Sequence, residues 1–114
     1  MQPRILLVNG PNLNKLGERE PEIYGSTTLP EIEENCRNKA KTLGMAIDCW
    51  QSNVEGEIVT KIQEASKAYQ GLILNGGAYT HTSIAIMDAL LSLKIRVIEV
   101  HLSNPLRREE FHHI

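Results

Sequence analysis

Four short runs rich in aliphatic residues are spread along the chain, each separated from the next by a segment long enough for a helix. This alternation limits the fold more than any other feature. The runs are RILLVN (Arg4 to Asn9), AIDCWQ (Ala46 to Gln51), GLILN (Gly71 to Asn75) and RVIEVHL (Arg96 to Leu102). The first is continuously apolar, as expected for a strand buried on both faces. Between the first two runs, Thr28-Leu29-Pro30-Glu31 has the spacing of a capping box with proline in the first turn. Ile32, Cys36, Ala40 and Leu43 then recur at helical spacing until Gly44 ends the helix. A second helix is predicted from about Glu57, with Ile58, Ile62 and Ala65 on one face. A third is predicted from near Ser83, carrying Ile84, Met87, Leu90 and Leu91 inward.

Strand–helix alternation of this kind predicts an α/β domain with a parallel sheet and helices on both faces. Right-handed crossovers leave few topologies, and a flavodoxin-like doubly wound sheet of order 2-1-3-4 is the expected one. The 114 residues fit a single domain, 1–114. After the fourth run only SNPLRREEFHHI follows. A doubly wound domain normally closes that edge with another strand or helix, so the domain is expected to be C-terminally incomplete.

Composition removes several function classes. Apolar residues make up 41% and charged ones 23%, which suits a globular chain and not a disordered one. The net charge is −2 with no basic block and few aromatics, so no nucleic-acid partner is expected. Cys36 and Cys49 lack metal or redox spacing and are expected to be buried free thiols of a reducing compartment. ILLV near the N-terminus is too short for a signal peptide or a membrane span. A cytoplasmic protein without a membrane partner is expected.

In open parallel sheets, ligands bind beyond the carboxyl ends of the strands. Those ends carry NGPNLN, NGGAYTHTS and EVHLSN, which bring three amide-bearing turns and two histidines to one expected rim. Each has a plainer explanation. Asn9-Gly10-Pro11-Asn12 are common turn formers, His81 could cap the third helix, and Tyr24 before Gly25 could anchor a turn. Glu99 and His101, two apart in a strand, share a face. They could form a structural ion pair, or the carboxylate could orient the imidazole for acid–base work. There is no G-x-S-x-G elbow, no P-loop and no dinucleotide turn. No His or Cys spacing matches a zinc site; His112-His113 is a weak candidate. Asn9 stands where a phospho-accepting receiver needs an acid. Acid–base chemistry on a small polar ligand remains.

Three segments, LLVNGPNLNKLGEREPEIYGSTTL, LNGGAYTHTSIAIMDAL and IEVHLSNP, resemble the type II 3-dehydroquinate dehydratases. These are cofactor-free dehydroquinases of the shikimate pathway. The resemblance implies a flavodoxin-like fold, trimers packed into a homo-oligomeric dodecamer, and conversion of 3-dehydroquinate to 3-dehydroshikimate. That reaction is an anti elimination of water through an enolate, with neither cofactor nor lysine Schiff base. By the same resemblance Tyr24 is the general base and Arg19 the lid arginine that favours its tyrosinate. Asn12 helps hold the water that stabilises the enolate. His101, oriented by Glu99, is the acid that protonates the leaving hydroxyl. Asn75, His81 and the Leu102 and Ser103 amides correspond to substrate contacts. Asp88 corresponds to a residue that reaches a neighbouring subunit's site. Roles of this kind suit the chemistry, because an anti elimination needs base and acid on opposite faces of the ring.

Two positions depart from the family pattern. Gly76 stands where proline is frequent, and His112 where an arginine usually clamps the substrate hydroxyls. Histidine offers at most two donors against five. The family's final strand and closing helix have no counterpart after Ile114. A non-catalytic homologue binding a small polyhydroxy carboxylic acid is therefore the alternative function. The unusually long polar segment GEREPEIYGSTT, Gly17 to Thr28, is expected to be a lid carrying Arg19 and Tyr24 over the substrate.

Overall fold

The four aliphatic runs form strands β1 (Arg4–Asn9), β2 (Ala46–Gln51), β3 (Gly71–Asn75) and β4 (Arg96–Val100) in a computed structural model that describes residues 2–17, 27–76 and 83–100. All pairings are parallel and the sheet order is β2-β1-β3-β4, the flavodoxin-like order expected. Three helices connect them: α1 (Leu29–Thr42), α2 (Glu55–Ala65) and α3 (Ile84–Leu91), with a short 3-10 turn at Leu13–Lys15. The last two residues of the fourth predicted run, His101 and Leu102, lie outside the described residues.

Side chains alternate along β1, and that alternation divides the core in two. Leu6 and Val8 of β1, with Leu72 and Leu74 of β3, face Ile58, Ile62 and Ala65 of α2 and Ile86, Ala89 and Leu90 of α3. Leu7 and Asn9 point to the other face, where α1 lies. Helix α1 starts as its sequence dictates. The Thr28 hydroxyl accepts from the Glu31 amide at 3.3 Å, Glu31 Oε1 accepts from the Thr28 amide at 3.4 Å, and Pro30 sits in the first turn. Gly44, at φ +75°, ends it in the left-handed region that favours glycine.

Four expectations need correction. Helix α2 begins at Glu55 rather than about Glu57, because buried Ser52 organises the approach: its hydroxyl accepts from the Val54 amide and donates to Glu57. Helix α3 is rotated from its expected setting. Ile84 (86% exposed), Met87 (45%) and Leu91 (80%) face outward, and of the four residues expected inside only Leu90 is buried. Leu43, expected on the inner stripe of α1, is likewise exposed at the C-cap. Cys36 and Cys49 are free but half-buried rather than buried. Burial, aided by the nearby Glu33 carboxylate, pushes the Cys49 thiol up to about 11. Among the described residues no helix is long and apolar enough to cross a membrane.

Candidate functional site

The carboxyl ends of β1 and β3 lie side by side, and each ends in a buried asparagine. Asn9 (1% exposed) and Asn75 (4%) are register partners and face the same side of the sheet. A buried amide needs hydrogen-bond partners, and these two supply one another. Asn75 Nδ2 donates to Asn9 Oδ1 at 3.4 Å, and Asn9 Nδ2 donates to Glu33 Oε2 of α1, also at 3.4 Å.

The turns that follow these strands touch through backbone alone. The Gly10 amide donates to the Asn75 carbonyl at 2.7 Å. A Cβ on Gly10 would stand 2.5 Å from the Gly76 carbonyl oxygen, so glycine is what permits this approach. Beyond it, Asn12 adopts φ +68°, a left-handed setting that asparagine tolerates better than most residues. Its amide donates to Asn53 Oδ1 at 2.9 Å. Gln51, the last residue of β2, donates from Nε2 to the Gly10 carbonyl and to Asn53 Oδ1, each at 3.1 Å. The loop after β1 is thus held by the Gln51 and Asn53 side chains at the end of β2 and by the Asn75 carbonyl at the end of β3, and the Asn12 side chain is left exposed.

Of the residues expected at the site, the structure brings the Asn12 loop and Asn75 to one rim. Glu99 is exposed and pairs in register with Leu74, which puts it on the α2–α3 face, opposite to Asn75. Asp88 is also exposed, on the outward side of α3 between Ile84 and Leu91, away from its own rim. Arg19, Tyr24, His81, His101, Leu102, Ser103 and His112 lie outside the described residues. The cap of α3 is Ser83, whose hydroxyl accepts from the Ile86 amide at 3.1 Å, so capping is not the work of His81. Among the described residues no group of three His, Cys, Asp or Glu side chains could hold a metal ion.

Sequence reasoning passed over Gln51, Asn53 and Glu33. Glu33 did carry a signal. Leu29, Glu33, Cys36 and Ala40 fall on one inward stripe by their spacing of four, three and four, and a carboxylate there invites a partner. The clearest electrostatic perturbation lies elsewhere, around Arg4 at the start of β1 and Tyr69 just before β3. The Tyr69 hydroxyl donates to Asp48 at 2.6 Å and Arg4 pairs with the same oxygen, holding the Asp48 carboxyl below its ordinary range.

Comparison with known proteins agrees with this architecture. The family model described as Dehydroquinase class II matches residues 3–114. A 3-dehydroquinate dehydratase of Prochlorococcus marinus (strain MIT 9301) is 57% identical over 107 residues, covering 94% of this chain and 73% of the relative. Catabolic 3-dehydroquinase 2 of Neosartorya fischeri is 54% identical over 111 residues, covering 97% and 74%. The crystal structure of a type II dehydroquinase from Butyrivibrio crossotus DSM 2876 superposes with a TM-score of 0.88 at 48% identity, covering 99% of this chain and 79% of that one. A family match over nearly every residue, the same fold and more than half of all positions shared have one meaning: this chain belongs to the class II dehydroquinases.

Proposed function

We propose that the protein is a type II 3-dehydroquinate dehydratase, a hydro-lyase that converts 3-dehydroquinate to 3-dehydroshikimate in the shikimate pathway. The observation that carries this is the family match over residues 3–114, which takes in all three motif segments. In the proposed reaction Tyr24, as tyrosinate beside Arg19, removes the proton alpha to the ketone. The enolate so formed is stabilised through a water held by Asn12. His101, oriented by Glu99, gives its proton to the departing hydroxyl, and water leaves from the opposite face. The base has gained one proton and the acid has lost one, so one net proton transfer resets the site. Asn75, His81, His112 and the Leu102 and Ser103 amides hold the substrate.

The same reading makes the protein cytoplasmic and a homo-oligomer of trimers, assembled as a dodecamer. What supports the assembly is the outward side of α3. Ile84, Met87 and Leu91 form an exposed apolar stripe around Asp88, and a second copy lying on it would receive that carboxylate. The substitution of His112 for the usual clamp arginine favours the second reading, a homologue that binds a polyhydroxy acid without turning it over. Incubating purified protein with 3-dehydroquinate and following absorbance of the conjugated enone product separates the two. Rising absorbance is expected. Saturable binding of the substrate with no product would establish the second reading.

A further inference from the structure

The buried amides at the rim form a chain with a direction, and the direction is set from one end. An ionised carboxylate accepts hydrogen bonds and donates none. Glu33 therefore requires Asn9 to turn its Nδ2 toward α1, as it does at 3.4 Å. Asn9 must then point Oδ1 the other way, toward β3. An oxygen there can be met only by a donor, so Asn75 turns its own Nδ2 toward it, again at 3.4 Å. What remains at the end of the chain is Asn75 Oδ1. Among the described residues it has no partner, although its residue is 4% exposed.

We infer that Glu33 is a positioning residue for Asn75, acting through Asn9, and that it fixes which end of the Asn75 amide is offered to the ligand. This inference rests on the reading of Asn75 as a substrate contact. Without Glu33, nothing in the chain distinguishes one orientation of the two amides from the other. The pair could flip together and offer N–H where the ligand's hydroxyl expects an acceptor. Two apolar side chains of similar size would fill the space without the desolvation cost of three polar groups. The polar chain contributes orientation in place of that packing. Both bonds, at 3.4 Å, are longer than the usual limit of about 3.2 Å, which is common before a ligand draws such a network together.

The experiment compares Glu33→Ala, which removes the acceptor, with Glu33→Gln, whose amide can donate as well as accept and so no longer dictates direction. Each is measured by steady-state kinetics with 3-dehydroquinate, by urea unfolding, and by the side-chain NH2 resonances of Asn9 and Asn75 in 15N-labelled protein. Glu33→Ala is expected to raise KM about tenfold, the equivalent of one misdirected hydrogen bond, with kcat within about twofold. The unfolding midpoint should also fall, because buried Asn9 Nδ2 loses its acceptor, whereas Glu33→Gln, which keeps one, should unfold near the wild type. Glu33→Gln is expected to raise KM too, by less than Glu33→Ala, since its amide can satisfy Asn9 in either setting but no longer fixes which. Both amide resonances should move in Glu33→Ala and in Glu33→Gln. An unchanged KM in Glu33→Ala overturns the inference, as does a loss in kcat as large as that in KM, which would mark Glu33 as merely structural. A Glu33→Gln protein with the wild-type KM and unmoved amide resonances would overturn it too, because the chain would then keep its direction without an acceptor-only end. If the wild-type protein turns nothing over, the proposed function fails. The amide resonances then decide alone: Asn75 unmoved in Glu33→Ala overturns the inference, and Asn75 moved upholds the directed chain.

Discussion

Gly10→Ala is a substitution of one methyl group aimed at the contact between the two rim turns. The new Cβ would lie 2.5 Å from the Gly76 carbonyl oxygen and 2.8 Å from its carbon, against a floor of 3.0 Å for real contacts of this kind. Both atoms belong to backbone, so no side chain can swing aside. The turns must separate by about half an ångström, and the Gly10 amide to Asn75 carbonyl bond would lengthen from 2.7 Å toward the limit of about 3.2 Å for such bonds. Overpacking of this kind costs about 1–3 kcal/mol. Gly10 does not need a positive φ, so alanine recovers roughly 0.4–1 kcal/mol by restricting the unfolded chain. The net expectation is a loss of about 1–2 kcal/mol, or ~0.5–1 M in urea midpoint. Trp50, the single tryptophan, packs against the core and reports unfolding by fluorescence at fixed protein concentration. KM should rise as well, because Gly76 cannot move without Asn75. Gly56→Ala is the control. Its Cβ meets nothing within 4 Å and it lies inside α2, so it should gain a few tenths to about 1 kcal/mol and leave KM unchanged. A Gly10→Ala protein with the original midpoint and KM would refute the close approach of the two turns.

Three further outcomes are expected. Arg19→Ala and Tyr24→Phe should each lose most turnover, while the double variant should be little worse than Tyr24→Phe alone if, as proposed, the arginine acts through the tyrosine; losses that multiply would show otherwise. His101→Ala should lower kcat by roughly 10²–10⁴-fold with much less effect on binding of a substrate analogue, since a proton donor to the leaving hydroxyl acts mainly in the transition state. Asp48→Asn should lower stability at neutral pH by less than about 1 kcal/mol, its side chain being 45% exposed. The folded carboxyl, held down first by Tyr69 and also by Arg4, contributes stability that is present above its ordinary value of 3.8 and lost as pH falls through the folded value. The wild-type advantage in urea midpoint should therefore close in strong acid, and a gap that persists there would assign the effect to packing.

The strands and the start of α1 were legible because their signals are local. A run such as RILLVN or GLILN has no use outside a two-sided sheet, and the Thr28–Glu31 capping box is a four-residue device. The rim was only half legible. Asn12 and Asn75 stand out as amides just past or at strand ends, yet their partners are Asn53, in the loop after β2, and Asn9, in a neighbouring strand, and register between non-consecutive strands is a tertiary fact. Helix α3 shows a subtler failure. IAIMDALL is apolar on nearly every side, so spacing alone offers two stripes, Ile84–Met87–Leu91 and Ile86–Ala89–Leu90. At about 100° per residue, positions two away from Asp88 lie on the far side of the helix from it. The single charge therefore marks the outside, and Ile86 and Leu90 are the inward pair, as found. Setting Ile84, Met87 and Leu91 inward alongside Leu90 identified a real apolar surface and gave it the wrong neighbour. A helix apolar all round is normally covered all round. The domain's own core covers one side of α3, and the proposed oligomer would cover the other. Asp88 is then a charge at the centre of a contact between copies, where an unpaired carboxylate would be costly unless the adjoining subunit supplied a polar partner. A substrate site is such a partner, which is how an outward-facing residue on α3 can belong to a rim it does not share in its own chain.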